Sequence, residues 1–262
     1  MCLLIFAHNV SPQQPLVIAA NRDEFHARPT AASDFWAEYP ELLAGRDREQ
    51  GGTWMGITRQ GRFAAITNYR DPARTVPAPR SRGELPLNYL TGEQNPGAYL
   101  ARLAPLADEY AGFNLLLGDG EDLWYFANSQ PEQAPQRLQP GIYGLSNARL
   151  DTPWPKVDRG KRKLQELLAS DQALDHERLL EVVADRTLAD PAALRLQGLA
   201  GDMDELLSAQ FIITPRYGTR SSTSLWLNSG GSAHWRELSF DDKGAVIGVR
   251  DKTFSAGRPV HP

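Results

Sequence analysis

Cysteine occurs once in the 262 residues, so no disulfide can close within the chain, and a reducing compartment is expected. Positive charge is not in excess. The 28 basic and 32 acidic side chains leave a net charge of -4 and a pI near 5.8, which gives no broad field to attract a polyanion and argues against a nucleic-acid partner. No apolar run approaches the roughly 18 residues needed to span a bilayer. The opening MCLLIFAHNVSPQQP lacks a basic n-region and reaches polar residues and prolines too early for a signal peptide, so the expected location is cytoplasmic. HExxH and paired CxxC motifs are missing, and His176, His234 and His261 are scattered, which supports no dedicated metal site. There is no Walker-type glycine loop. Gly144-Leu145-Ser146-Asn147-Ala148 only loosely matches a G-x-S-x-G elbow and is followed by Pro153 and Pro155 rather than an immediate helix, which argues against that type of serine hydrolase.

What is present is apolar content of 41%, enough at this length for one large core and a single domain over residues 1–262. Residues 2–7 and 16–20 are apolar runs separated by a turn-rich stretch and predict an N-terminal hairpin. Further strands are expected at 54–58 and 63–68, at 113–117 and 123–127, and at 141–145. Helical spacing starts at Lys156 and runs to about residue 207. Strand texture returns at 211–213, 224–227, 235–240 and 245–249. Strands, then helices, then strands, mostly joined as hairpins, predict an α+β protein with antiparallel sheets covered by helices. Residues 70–86 carry four prolines and four arginines and read as a solvated loop or as an anion-attracting flap beside a site.

The position of the lone cysteine is the most informative feature. Loss of Met1 would leave Cys2 with a free α-amine of reference pKa about 7.7 to 8.0, basic enough to accept the thiol proton in the manner of an N-terminal nucleophile. A buried strand cysteine is the plainer alternative. A hairpin turn centred between Ser11 and Pro12 sets Cys2 opposite Asn21, within about two residues. The polar run Asn21-Arg22-Asp23-Glu24 then lies beside the thiol. An arginine there stabilises thiolate, and an aspartate orients the amine. His8 is too far along the same strand to act as base, and His26 is a loop histidine.

Cys2, Asn21-Arg22-Asp23-Glu24, Gly51-Gly52-Thr53-Trp54, Thr67-Asn68-Tyr69, Gly144-Leu145-Ser146-Asn147 and Tyr217-Gly218-Thr219-Arg220-Ser221-Ser222-Thr223 form an ordered set that resembles the NRDE, or transport and Golgi organisation protein 2, family. The resemblance implies an αββα sandwich of the N-terminal-nucleophile hydrolase type, similar to choloylglycine hydrolases. It carries catalytic roles onto Cys2, Asp23, Asn147 and Arg220, with Arg22 displaced from the usual R-N-x-D order. Asn68 is a second oxyanion candidate, and Asn21, Trp54, Tyr69 and Tyr217 are candidate ligand contacts. Two functions follow from the resemblance: an amidohydrolase acting on a linear, non-peptide C–N bond such as that of an N-acyl compound, needing no cofactor, or a non-catalytic carrier of haem or another amphipathic ligand. Cys2, Asp23, Asn147 and Arg220 are expected to converge on one cleft.

Overall fold

The computed structural model describes residues 2–70, 78–129, 134–196 and 201–257. Two antiparallel sheets stack face to face. The first contains β1 (Cys2–His8), β2 (Leu16–Phe25), β10 (Gly141–Leu145), β11 (Tyr217–Leu227), β12 (Ser232–Phe240) and β13 (Val246–Ser255), in the order β10-β1-β2-β11-β12-β13. The second runs in chain order through β3 (Thr30–Trp36), β4 (Tyr39–Asp47), β5 (Met55–Thr58), β6 (Phe63–Asn68), β7 (Phe113–Gly118), β8 (Leu123–Ala127) and β9 (Gln136–Arg137). Helices α1 (Glu84–Leu90) and α2 (Pro96–Leu103) lie on the outer face of the second sheet. α3 (Pro155–Ala169) and α4 (His176–Glu181) cover the first, and α5 (Pro191–Leu196) and α6 (Asp202–Leu206) follow. The layer order is the αββα sandwich expected.

β1 is buried at all seven positions because both of its faces are covered. Leu4 and Phe6 pack between the sheets with Ile18, Met55, Leu116 and Trp235. Leu3, Ile5 and Ala7 face the helices with Val157 and Leu164. Each such large apolar side chain contributes roughly 1.5–3 kcal/mol on burial. Helix α3 can approach this closely because two glycines meet it. A Cβ at Gly144 would come within 2.5 Å of Val157, and one at Gly160 within 2.6 Å of Ile5. Gly144 thus serves helix packing rather than a nucleophile elbow.

The β1–β2 register pairs Cys2 with Arg22 and Leu3 with Asn21, one residue from the expected pairing. One step exchanges the faces of the sheet. Arg22 therefore shares the inter-sheet face with Cys2, whereas Asn21 points to the helical layer.

Several elements depart from the sequence expectation. β3 and β4 were not expected, because Thr-Ala-Ala-Ser has weak strand texture and Pro40 and Gly45 interrupt the next run. Their pairing is held by the Trp36 indole, whose N–H donates to Ala44 O at 2.9 Å. Residues 84–86 fall at the end of the segment read as loop, yet they open α1, with Pro86 in its first turn. α2 begins with Pro96 behind Asn95, whose side chain accepts from Ala98 N at 2.8 Å. Residues 211–213 make no strand beyond one isolated bridge, Ile213 to Gly218. β11 begins at Tyr217, seven residues before the strand expected at Ser224. Its polar first half has partners on β2: Ser222 donates to Asn21 Oδ1 at 2.6 Å, and Thr219 to Asp23 Oδ1 at 2.6 Å.

Glu237 on β12 reaches between the sheets and is 1% exposed. Its Oε1 accepts from Ser33 N at 2.7 Å, while Trp235 donates to Ser33 Oγ at 2.9 Å. Burial raises the Glu237 pKa to about 7, against the lowering effects of the Ser33 hydrogen bonds and of the Arg22 and Arg250 charges.

Candidate active site

The ends of β1, β2 and β6, the start of β5 and the segment 78–83 enclose a cavity of about 350 Å³. Cys2, Arg22, Asp23, Trp54 and Asn68 all line it. Cys2 is 9% exposed. Burial raises the pKa of its thiol, as does the charge of Asp23, whereas Arg22 and a hydrogen bond from the Asp23 amide favour the thiolate. A thiol so placed needs a base at hand to ionise.

Arg22 is held flat over Trp54, its guanidinium carbon 4.3 Å from the ring centre. Its Nη1, together with Ser221 Oγ and Glu237 Oε2, is buried without a hydrogen-bond partner among the described residues. Asp23 accepts from the Thr219 hydroxyl, and Tyr217 donates to the Asp23 carbonyl at 2.9 Å. Burial raises the Asp23 pKa, offset in part by Lys156, the Thr219 hydrogen bond and Arg22.

A polar network supports Cys2 from behind. Ser146 Oγ lies 3.1 Å from both Cys2 O and Asn147 Oδ1. Ser146 O accepts from Thr67 at 2.6 Å, Asn114 donates to Thr67 Oγ1 at 3.0 Å, and Tyr125 donates to Asn114 Oδ1 at 2.8 Å. Asn147 donates to Asn68 O at 2.8 Å, so it meets the site through the main chain of Asn68. The Asn68 side-chain amide lines the cavity and makes no hydrogen bond to the described residues. That leaves its N–H groups available to a developing oxyanion.

The expected convergence is met only in part. Arg220 is the extra residue of a β-bulge, since Thr219 pairs with Asp23 and Ser221 with Arg22. The bulge turns its side chain away, and its Nη1 donates to the carbonyls of Phe25, His26 and Arg28 at 2.8, 3.1 and 3.3 Å. Arg220 therefore holds the β2 exit and does not line the cavity. Asn21 is also corrected: its amide donates to Val183 O and Gln210 O, both at 2.8 Å, tying the sheet to the helical layer. Tyr217 supports Asp23 from outside the cavity. Tyr69 is not among the lining residues either, and its amide donates to Gly112 O at 2.8 Å.

Lys156 and Arg28 escaped the sequence reading, and Arg82 was noted there only as one arginine of a loop. Lys156, in the first turn of α3, is 2% exposed and donates to Leu207 O at 2.8 Å. Burial lowers its pKa to about 8, while Asp23 and Cys2 pull it upward. Arg28 and Arg82 line the cavity mouth. Arg82 comes from the segment considered as an anion-attracting flap. Residues 71–77 of that segment lie outside the described residues, as do Met1 and His261. No group of His, Cys, Asp and Glu among the described residues could hold a metal ion, and no described helix is long and apolar enough to cross a membrane.

A family model described as "Transport and Golgi organisation 2" matches residues 1–242. The Homo sapiens Transport and Golgi organization protein 2 homolog is 36% identical over 265 residues, covering 93% of this chain and 94% of that protein. The Drosophila melanogaster protein of that name is 28% identical over 193 residues, covering 64% and 65%. Among solved structures, a Caenorhabditis elegans N-acylethanolamine-hydrolyzing acid amidase ortholog aligns with a TM-score of 0.41 at 11% identity over 86% of this chain and 92% of that one. The C2A mutant of the conjugated bile acid hydrolase from Clostridium perfringens aligns with a TM-score of 0.40 at 10% identity over 100% and 99%.

Proposed function

The chain belongs to the Transport and Golgi organisation 2 family, and from that premise we propose that it is an N-terminal cysteine amidohydrolase acting on a linear, non-peptide C–N bond. The observation that carries this reading is that Cys2 lines a cavity together with Arg22, Asp23 and Asn68.

In the proposed reaction Met1 has been removed, and the α-amine of Cys2 takes the thiol proton. The thiolate attacks the amide carbonyl carbon. Negative charge moves to the carbonyl oxygen, where the Asn68 amide can donate. The C–N bond then breaks, the leaving nitrogen takes the proton from the Cys2 ammonium, and a thioester remains. Water, deprotonated by the same amine, attacks the thioester, releases the carboxylic acid and restores the thiol. Asp23 and Lys156 are both buried and each feels the other's charge, and Asp23 is suited to orienting the amine.

Cys2→Ala decides the matter when assayed with a panel of N-acyl amides and, in the same preparation, by haem titration. Turnover in the parent protein that vanishes in the variant is the expected result, with ligand affinity little changed. Intact mass should show a chain beginning at Cys2. A parent protein that begins at Cys2, turns over no amide and binds haem saturably would replace this reading with the carrier function. In that case a shifted absorbance band in the variant would identify Cys2 as a haem ligand.

A further inference from the structure

The charges around the cavity do not all cancel locally. Four arginines line it: Arg22, Arg28, Arg80 and Arg82. Arg28 is tied to Asp47 at 2.7 Å, to Glu49 at 3.2 Å and, at 4.0 Å, to Glu24. Arg80 bridges Glu84 at 2.5 Å and Glu109 at 3.0 Å. Arg22 shares its field with Asp23 and Glu237. Arg82 differs from these three. Among the described residues its guanidinium makes one hydrogen bond, to Gly112 O at 3.0 Å, and has no carboxylate within 4.0 Å. A guanidinium has five N–H donors in a planar fork, so among the described residues most of the Arg82 fork is uncommitted at the cavity that Cys2 also lines.

Arg82 is also held in place. Thr53 N donates to Gly83 O at 3.0 Å, and Gly52 lies so close to Gly83 that a Cβ on Gly52 would come within 2.4 Å of its carbonyl. The Gly51-Gly52-Thr53-Trp54 run thus has two uses: Trp54 supports Arg22, and the bare backbone of Gly52 lets the Arg82 segment close down. A half-buried arginine without a carboxylate partner is costly unless something anionic completes it. Arg22 Nη1, 5% exposed as a residue and without a hydrogen-bond partner among the described residues, is a second unfilled donor at the same cavity.

We infer that the substrate of this site carries a carboxylate close to the scissile bond, and that the Arg82 guanidinium holds it. This inference rests on the hydrolase reading for its chemistry but not for its binding. The acidic side chains at the cavity are engaged elsewhere: Asp47 and Glu24 with Arg28, and Asp23 with Thr219. The unfilled donors are thus cationic, and they select against neutral and cationic amides.

The test compares N-lauroylglycine with its uncharged counterpart N-lauroylglycinamide, reading lauric acid release in the parent protein and in Arg82→Gln and Arg82→Lys. Dissociation constants for both ligands are measured in Cys2→Ala with and without Arg82→Gln, and thermal unfolding checks that each variant folds. The parent is expected to favour the acid in kcat/KM by about tenfold or more, the range of a charge-assisted hydrogen bond. Arg82→Gln should erase that preference by lowering the acid alone, and Arg82→Lys should keep part of it. An equal fall for both compounds, or a preference that survives Arg82→Gln, would overturn the inference. Turnover without any preference refutes the carboxylate site and leaves the hydrolase. No turnover, with binding that favours the acid and loses this in Arg82→Gln, supports the site and refutes the hydrolase.

Discussion

Replacing Glu237 by glutamine removes one titratable group from the space between the sheets while leaving an oxygen to accept from Ser33 N. The native carboxyl titrates near 7 because burial disfavours its charge, against 4.5 for the ordinary group. The native state therefore holds this proton more tightly than the unfolded chain does. Its contribution to stability is fully present below the unfolded value and is lost as pH rises through about 7. Taken to completion, ionisation costs the native state about 3 kcal/mol. Of this, about 2 kcal/mol falls between about pH 5.5 and about pH 8. The parent profile alone does not isolate this cost. Burial lowers the pKa of His176 to about 4 and also lowers those of His8 and His234, and these groups tilt stability the opposite way over part of the same range. The difference between the two proteins removes that background. Urea unfolding of parent and E237Q at the two pH values should show the variant gaining about 2 kcal/mol relative to the parent on going from the lower to the higher. A variant that instead loses stability at the higher pH would refute the reasoning, because ionised Glu237 would then be a net favourable partner of Arg22.

Asn21→Ala strands the carbonyls of Val183 and Gln210 and the Ser222 hydroxyl in the interior, and should cost about 2–4 kcal/mol in urea unfolding; a loss below about 0.5 kcal/mol would mean that the three groups find other partners. Gly52→Ala should lower kcat/KM for the preferred substrate more than it lowers stability, because its Cβ displaces Gly83 and with it Arg82; unchanged kinetics would show that the segment yields freely. Lys156→Met removes the buried cation that holds the Asp23 pKa down, so the acid limb of the kcat/KM profile should move to higher pH. Since the native Lys156 pKa lies at about 8, below that of the ordinary group, the parent should gain stability as pH rises from about 8 toward 10.5. The variant should lack that gain, which pH-dependent unfolding measures.

The layered fold was legible because its main strands are apolar runs bounded by turns, and β1 announces itself with six consecutive apolar residues after Met1. Cys2 stood out by position, and the hairpin brought Arg22 and Asp23 close to it, but the expected register was one residue off and put Asn21 on the wrong face. What escaped depends on long-range contacts. β11 carries polar residues that read as loop until Asn21 and Asp23 are seen to receive their hydroxyls across the sheet. Arg220 was misassigned because sequence order does not reveal a bulge. Lys156 sits at a helix start, where a lysine is ordinarily solvated, and only the approach of the 202–207 region above it closes it off. Arg82 lay within the loop singled out for its arginines, but nothing local distinguishes it from Arg80, whose acidic partners Glu84 and Glu109 stand four and 29 residues away.

If Met1 is removed as the proposed mechanism requires, the place of Cys2 within a sheet would also set a clock for that step. A strand at a chain end ordinarily frays, but β1 is flanked by β2, which pairs with Cys2 itself, on one side and by β10, which pairs from Leu4 onward, on the other. Once both neighbours have paired, a peptidase acting on the bond before Cys2 would meet a residue only 9% exposed. β10 begins at Gly141, so at 5–20 residues per second the ribosome delivers it roughly 7–30 seconds after β1. Under the proposed mechanism, trimming would then be a race against translation. A chain that lost the race would be completely folded and chemically silent, and faster translation of the first half of the message would enlarge that silent fraction without altering a single residue.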